Sequence, residues 1–369
     1  MKKIIRIILN LSLLSLLYTE CVFSATPGAT DFQSVISRME NQDTENRGQG
    51  DELYKLYLEQ GIYYIQKSNY TKAKYFLLKA LNRNNKEPEV YLNLGVIALK
   101  RQNIVHAMRL LKKALRLAPQ DYDKTEIILY NIGLCYQRMG NDPKAFEYYR
   151  QALARNSSFA QALLGLGIIY EKSGQYEAAL LHLAKARYIL EETQETEYLE
   201  KSENALQDFI TNHKDIAQTM TQKLFDKGSA LFEEKKAERA IEILKLSSAI
   251  DTHNPLSYYR LGVLYLDRND MVTAAKYFIA TIKADKNYIQ AYNNLAGIFT
   301  KLKKYPDALK ILTAAAEVDK ENPKIYYNMG IIYLETGEKR KGRECLIQAK
   351  RLAQKQHNTD LLKKIKQAL

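Results

Sequence analysis

The stretch Pro323-Lys-Ile-Tyr326-Tyr-Asn-Met329-Gly330-Ile-Ile-Tyr333, followed by Gly337, Gly342, Leu346 and Ala349, decides the fold. By itself it reads as an apolar helix, a glycine turn and a second amphipathic helix. It also recurs. Tyr292-Asn-Asn-Leu295-Ala296-Gly-Ile-Phe299 is the same phrase 34 residues earlier, and Tyr258-Tyr-Arg-Leu261-Gly262-Val-Leu-Tyr265 lies 34 before that. Leu224-Phe-Asp-Lys227-Gly228-Ser-Ala-Leu231 stands another 34 upstream. A fixed period of this size marks a helix pair that cannot bury its apolar face alone and must stack on its neighbours.

Carried to the rest of the chain, the register gives frames starting at Tyr54, Pro88, Glu126, Ala160, Thr221, Pro255, Ile289 and Pro323. The eighth place holds Gly61, Gly95, Gly133, Gly167, Gly228, Gly262 and Gly330, with Ala296 the exception. The second helix opens on a small residue (Ala73, Ala107, Ala145, Ala179, Ala240, Ala274, Ala308, Gly342) and carries a large one four places on, from Leu77 and Leu111 through Tyr149 and Phe278 to Leu346. Small residues let two helices approach, and the large ones fill the groove between them. Prolines test the register independently. Pro88, Pro255 and Pro323 open first helices, Pro143 and Pro306 open second helices, and Pro119 follows one; a helix start tolerates the missing N–H.

This pattern resembles the tetratricopeptide repeat (TPR), whose signature runs Trp-x2-Leu-Gly-x2-Tyr, then Ala-x3-Phe, then Pro. The resemblance implies an all-α TPR helical-hairpin solenoid of eight repeats in two blocks of four, 54–193 and 221–356. Between them 194–220 is expected as a helical spacer: it has no Gly or Pro, and Leu199, Leu206 and Ile210 fall at helical spacing. The apolar stripe Leu361, Leu362, Ile365 and Leu369 predicts a capping helix over 357–369, as a solenoid end requires. Four extra residues around Asp121 to Thr125 form a surface turn.

The first 24 residues read differently. Lys2, Lys3 and Arg6 precede an apolar core from Ile7 to Tyr18, and Val22-Phe-Ser24 suits signal peptidase before Ala25. That is the layout of a secretory signal, and the Lys-rich, Trp-free style suggests a bacterium, so the periplasm or cell envelope is the expected setting. Lipidation of Cys21 is the alternative, opposed by Glu20 where a lipobox needs a small residue. Residues 25–52 are polar and aperiodic, a flexible tether. Beyond the signal stand only Cys135 and Cys345, in distant units and expected as unbridged small hydrophobes.

Catalytic patterns are lacking. His106, His182, His213, His253 and His357 are scattered, and the chain has no HExxH, CxxC, phosphate loop or GxSxG. Neither enzyme activity, cofactor, metal nor small-molecule substrate is expected. Most of the 27 tyrosines have a packing explanation. Tyr57, Tyr91, Tyr258, Tyr292 and Tyr326 take the family's tryptophan place; Tyr64, Tyr136, Tyr170, Tyr265 and Tyr333 take its tyrosine place.

In a TPR stack the first helices line the concave face, where outward places are free to meet a ligand. The sixth place holds Asn93, Asn131, Asn294 and Asn328, and the fifth holds Tyr130, Tyr259 and Tyr327. An asparagine row offers donors and acceptors to the main chain of an extended peptide, as some TPR superhelices do, and tyrosines offer rigid contact surfaces. The expected partner is therefore a protein or extended peptide. The carboxylate clamp of chaperone-binding TPR domains is not matched: Leu58, Ile62 and Ile127 replace its polar residues, and only Asn93 agrees.

The formal charge is +13, which falls to +11 without the signal's three cations and one anion. From Lys339 to Lys366 ten basic residues face only Glu344 and Asp360, whereas Glu191 to Asp208 is acidic. The basic end suits an anionic membrane surface or an acidic partner; export argues against nucleic acid.

Overall fold

The computed structural model of the chain describes residues 50–369. The expected signal segment, Cys21 and all but the last three tether residues lie outside them. Those three are helical, because the first helix begins at Gly50.

Eighteen α-helices and no strand are found among the described residues. In the first block they pair as α1 (Gly50–Gln66) with α2 (Tyr70–Arg83), α3 (Pro88–Lys100) with α4 (Ile104–Leu117), α5 (Thr125–Arg138) with α6 (Asp142–Arg155), and α7 (Ala160–Lys172) with α8 (Tyr176–Thr193). After α9 (Thr196–Asn212), the second block runs α10 (Lys214–Glu233), α11 (Ala237–Ile250), α12 (Pro255–Asp267), α13 (Met271–Ala284), α14 (Ile289–Lys301), α15 (Tyr305–Val318), α16 (Pro323–Glu335) and α17 (Lys339–Lys355), then α18 (Thr359–Ala368). The chain divides into two compact units, one ending at Lys214 and the other beginning at Asp215.

The repeated glycine has a packing cause. A Cβ at Gly61, Gly95, Gly167, Gly228 or Gly330 would stand 2.6–2.8 Å from the leucine that begins filling the groove, Leu77, Leu111, Leu183, Leu244 or Leu346 respectively. At Gly133 the conflicting ring is Tyr149, and at Gly262 it is Phe278. All seven large partners are fully buried. The glycine thus holds the two helices of a hairpin at a spacing that only a missing side chain allows.

The turn inside each hairpin is also repeated. Ser68, Gln102, Gly140, Gly174, Lys235, Asn269, Lys303 and Gly337 occupy equivalent places with φ between 55° and 83°. A left-handed residue ends a helix by turning the chain away from its axis. Glycine fills the place only three times, so its period is weaker in the sequence than in the backbone. Four of the eight second helices then start on side-chain caps: Asn69, Asn103, Asn141 and Asp270 accept from the backbone N–H three residues on, at 3.0–3.2 Å.

The spacer is helical but not one helix. Gln194, with φ 58° and ψ 29°, ends α8, and His213 ends α9. Residues 214–220 extend the fifth repeat's first helix, making α10 20 residues long where α12, α14 and α16 have 13. The buried face of α9 is Ser202, Leu206 and Phe209, with Leu199 and Ile210 only half-buried. It lies against α8 and reaches α7, as α3, α5 and α7 each lie against the preceding second and first helices. The first block therefore closes on a cap. In the second block α18 has the same relation to α17 and α16, burying Leu361 and Ile365.

Three of the five tyrosines at the family's tyrosine place stack on second-helix aromatics within their own hairpins: Tyr64 on Phe76 at 5.5 Å, Tyr136 on Tyr148 at 5.5 Å and Tyr265 on Tyr277 at 5.4 Å. Lysines cover the outer ring faces, Lys72 over Tyr64 and Lys144 over Tyr136. Cys135 is fully buried and free, and burial pushes its thiol up to about 11. Cys345 is half-buried and free, its thiol also raised mainly by burial.

Candidate functional site

The face formed by the first helices carries the expected asparagines, and the two blocks use them differently. In the first block the amides turn back on their own helices. Asn93 Nδ2 donates to the Glu89 carbonyl at 2.9 Å, and Asn131 Nδ2 to the Ile127 carbonyl at 2.8 Å. Asn131 is buried, at 8% exposure. Tyr130, beside it, is buried at 9%.

Tyr130 corrects the expectation of an open contact surface at that place. Its ring stacks on Tyr149 at 5.7 Å and meets Phe159 edge-on at 5.4 Å, and the Tyr198 phenol of α9 lies near enough to act on its hydroxyl. Desolvation first, then Tyr198, holds its hydroxyl well above the ordinary phenol range. Tyr259 has equivalent ring neighbours in Phe278 and Tyr288 but stays half-buried; what Tyr130 has in addition is Tyr198 of α9. Asn131 is shut in with it.

In the second block the side chains link one repeat to the next. Asn294 Nδ2 donates to the Tyr259 hydroxyl at 3.3 Å, and Asn328 Nδ2 donates to Asn293 Oδ1 at 2.9 Å. Each partner pair is 35 residues apart. Asn293 in turn donates to the Ile289 carbonyl at 3.3 Å. All four residues are half-buried, as is Tyr327. A primary amide has two N–H donors and a carbonyl acceptor, so one donated bond fixes the group without exhausting it. Asn293 was missed by the sixth-place rule. The doublet Asn293-Asn294 was its signal, since neighbours on a helix share a broad face when both lie beside the groove.

Tyr259 is oriented by its surroundings too, at 4.8 Å from the Tyr288 ring and 5.8 Å from Phe278. The structure brings together Tyr259, Asn294, Asn293 and Asn328 as a row along α12, α14 and α16. The amides of Asn93 and Asn131 instead donate to carbonyls of their own helices.

Among the described residues no three His, Cys, Asp or Glu side chains form a group able to hold a metal ion. His182 Nδ1 lies 2.8 Å from the Ala178 carbonyl with its ring 4.9 Å from Tyr170. His213 lies between Tyr176 and Phe209, at 4.1 and 4.7 Å, with Glu171 3.6 Å from its Nε2. Both are packing residues. No helix of the described residues is long and apolar enough to cross a membrane.

Paired helices stacked through a fixed hairpin turn, repeated within each unit, define a helical-repeat solenoid. Family models described as tetratricopeptide repeat match residues 86–158, 124–192 and 323–356, and one described as TPR repeat matches 296–337. The chain is a tetratricopeptide-repeat protein, and proteins of this family are typically interaction scaffolds without catalytic activity. Among curated proteins it is 25% identical over 283 residues to the BBSome complex member BBS4 of Bos taurus, covering 76% of this chain and 48% of that protein. It is 36% identical over 104 residues to the photosystem I assembly protein Ycf3 of Cyanophora paradoxa, covering 28% of this chain and 60% of Ycf3. The chain thus spans about half to three-fifths of the length of these relatives. A crystal structure of MamA aligns with a TM-score of 0.32 and 16% identity, over 62% of this chain and 97% of that one.

Proposed function

We propose that this chain is a non-enzymatic scaffold that holds a protein partner through an extended peptide segment on its first-helix face, with Asn293, Asn294, Asn328, Tyr259 and Tyr327 of the second block as the principal contacts. The observation that carries this reading is the pair of inter-repeat hydrogen bonds, Asn294 to Tyr259 and Asn328 to Asn293. These bonds hold polar side chains in a line at the spacing of successive repeats, which suits the repeating donors and acceptors of a peptide backbone. The experiment is peptide or partner capture by the full chain against Asn294→Ala/Asn328→Ala. Loss of capture with unchanged helicity supports the reading, and retained capture refutes it.

The proposed setting is the cell envelope, on the strength of Lys2, Lys3 and Arg6 ahead of the apolar run Ile7 to Tyr18. A membrane-associated assembly role is a second reading, favoured by one feature of α17. Ile347 is 60% exposed, flanked at one helical turn on either side by the exposed Arg343 and Arg351. An apolar residue between cations on an outward stripe suits the surface of an anionic bilayer.

A further inference from the structure

The first block's own chain lies across its first-helix face. The left-handed Gln194 reverses the backbone after α8, and the next four residues touch three of the block's four first helices. Glu195 Oε2 accepts from Gln161 Nε2 of α7 at 2.7 Å. Glu197 Oε1 pairs with Lys100 Nζ, at the end of α3, at 3.4 Å, and with Lys201 Nζ at 2.8 Å. Tyr198 meets Tyr130 of α5.

The two halves of α9 are held by different forces. Ser202, Leu206 and Phe209 are buried in the stack, and Arg187, 13% exposed, reaches from α8 to Glu203 at 3.6 Å. That half is anchored by apolar burial. The first turn has one half-buried ring, Tyr198 beside Tyr130, and is otherwise fastened by polar side chains that face water: Glu197 is 60% exposed and Lys100 42%. Exposed pairs of this kind add little to stability and weaken with salt, so the turn can lift while the remainder of α9 stays in place.

We propose that Glu195 to Tyr198 stands in for a ligand: the first block's first-helix face takes an acidic peptide segment with a tyrosine beside a carboxylate, and this chain's own turn covers the place until such a segment displaces it. The proposal rests on the reading of the first-helix face as a peptide-binding surface and names the partner chemistry for this block. Charge complementarity selects the partner. Lys100 and the Gln161 amide are donors that a basic or purely apolar segment would leave unsatisfied on entry. The burial of Tyr130 then reflects the cover that Tyr198 provides.

The test uses the full chain carrying Glu195→Lys, Glu197→Lys and Tyr198→Ala, with a fluorescein-labelled peptide of residues 193–204 as the probe. The variant is expected to bind the peptide at least tenfold more tightly than the parent, with affinity falling as salt rises and lost on adding Lys100→Glu. Equal binding to parent and variant, or equal binding of a scrambled peptide, would overturn the proposal. If the triple variant does not fold, Lys100→Glu in the parent provides the measurement: faster amide exchange over 195–200 with 203–210 unchanged supports a displaceable turn, and no change refutes it. If the peptide fails on a folded variant while displayed peptides still bind and are lost with Asn294→Ala/Asn328→Ala, this inference alone falls. If displayed peptides fail as well, the scaffold reading falls with it.

Discussion

Tyr149 of α6 and Gly165 of α7 share one space: a Cβ on Gly165 would lie 2.5 Å from Cε2 of the tyrosine ring. On its other side the ring meets Gly133, where a Cβ would stand 2.7 Å away. Its hydroxyl donates to Gln137 Oε1 at 2.9 Å. The third unit has replaced the usual leucine by a larger ring, and a second glycine in the following unit accommodates it.

Gly165→Ala therefore destabilises the first block by about 1–3 kcal/mol through overpacking. Tyr149→Leu alone also destabilises, because it leaves a void and strands Gln137. Combined, the two substitutions cost less than their sum. A double-mutant cycle from denaturant unfolding measures this coupling, and strict additivity would show that the two residues do not compete for space.

Lys303 turns the chain between α14 and α15 with φ 56°, a backbone region that side chains other than Gly and Asn occupy at a cost of about 1 kcal/mol. Lys303→Gly is expected to raise the melting temperature, the relief of strain outweighing the unfolded-chain entropy glycine adds. Lys235→Gly does the same in the hairpin of α10 and α11.

His182 gives the stability a pH dependence. Burial, the largest influence, holds its imidazole below the ordinary 6.5 despite the Ala178 carbonyl, which opposes the shift. The unfolded chain thus takes up a proton that the native state refuses. Stability contributed by the neutral ring is present above about 6.5 and is lost as pH falls from there through the native value. His182→Gln should flatten that part of the stability curve, as urea midpoints between pH 7.5 and 5 would reveal.

Anionic vesicles containing phosphatidylglycerol test the basic end. Flotation of the full chain should fall several-fold with Arg343→Glu/Arg351→Glu and with rising salt. Ile347→Ser should reduce it without altering the salt slope. Flotation unaffected by all three changes would leave the stripe as a solvated helix face.

Much of the fold was legible because its determinants are side chains of fixed size at fixed intervals. Gly95 with Leu111, or Gly330 with Leu346, can be read as pairs before either is seen in contact. The hairpin turn was less legible, since Ser68, Gln102, Lys235 and Lys303 adopt a conformation that their residue types do not advertise. The face of α9 was displaced from the apolar stripe: Ser202 turns its hydroxyl to the Leu199 carbonyl at 2.8 Å and so enters the interface as a small residue, drawing Phe209 in with it.

The candidate site was partly legible. A row of asparagines was visible, yet whether an amide faces outward or folds back depends on its neighbours. Asn131 lies beside Tyr130, which Tyr198 covers, whereas Asn294 finds the Tyr259 hydroxyl in the preceding unit. The crossing of the first block by Glu195 to Tyr198 depends on a single left-handed residue, Gln194, in a stretch without glycine. Periodicity carries no trace of such a turn.

The closing of the first stack by α9 has a bearing on how the gene can be cut. A fragment ending after Lys214 keeps its last apolar surface covered by Leu206 and Phe209, and should remain soluble and cooperative on its own. One ending at Thr193 strips that cover from α8 and should self-associate. The natural severing point of this chain lies one helix beyond the last hairpin of the first block.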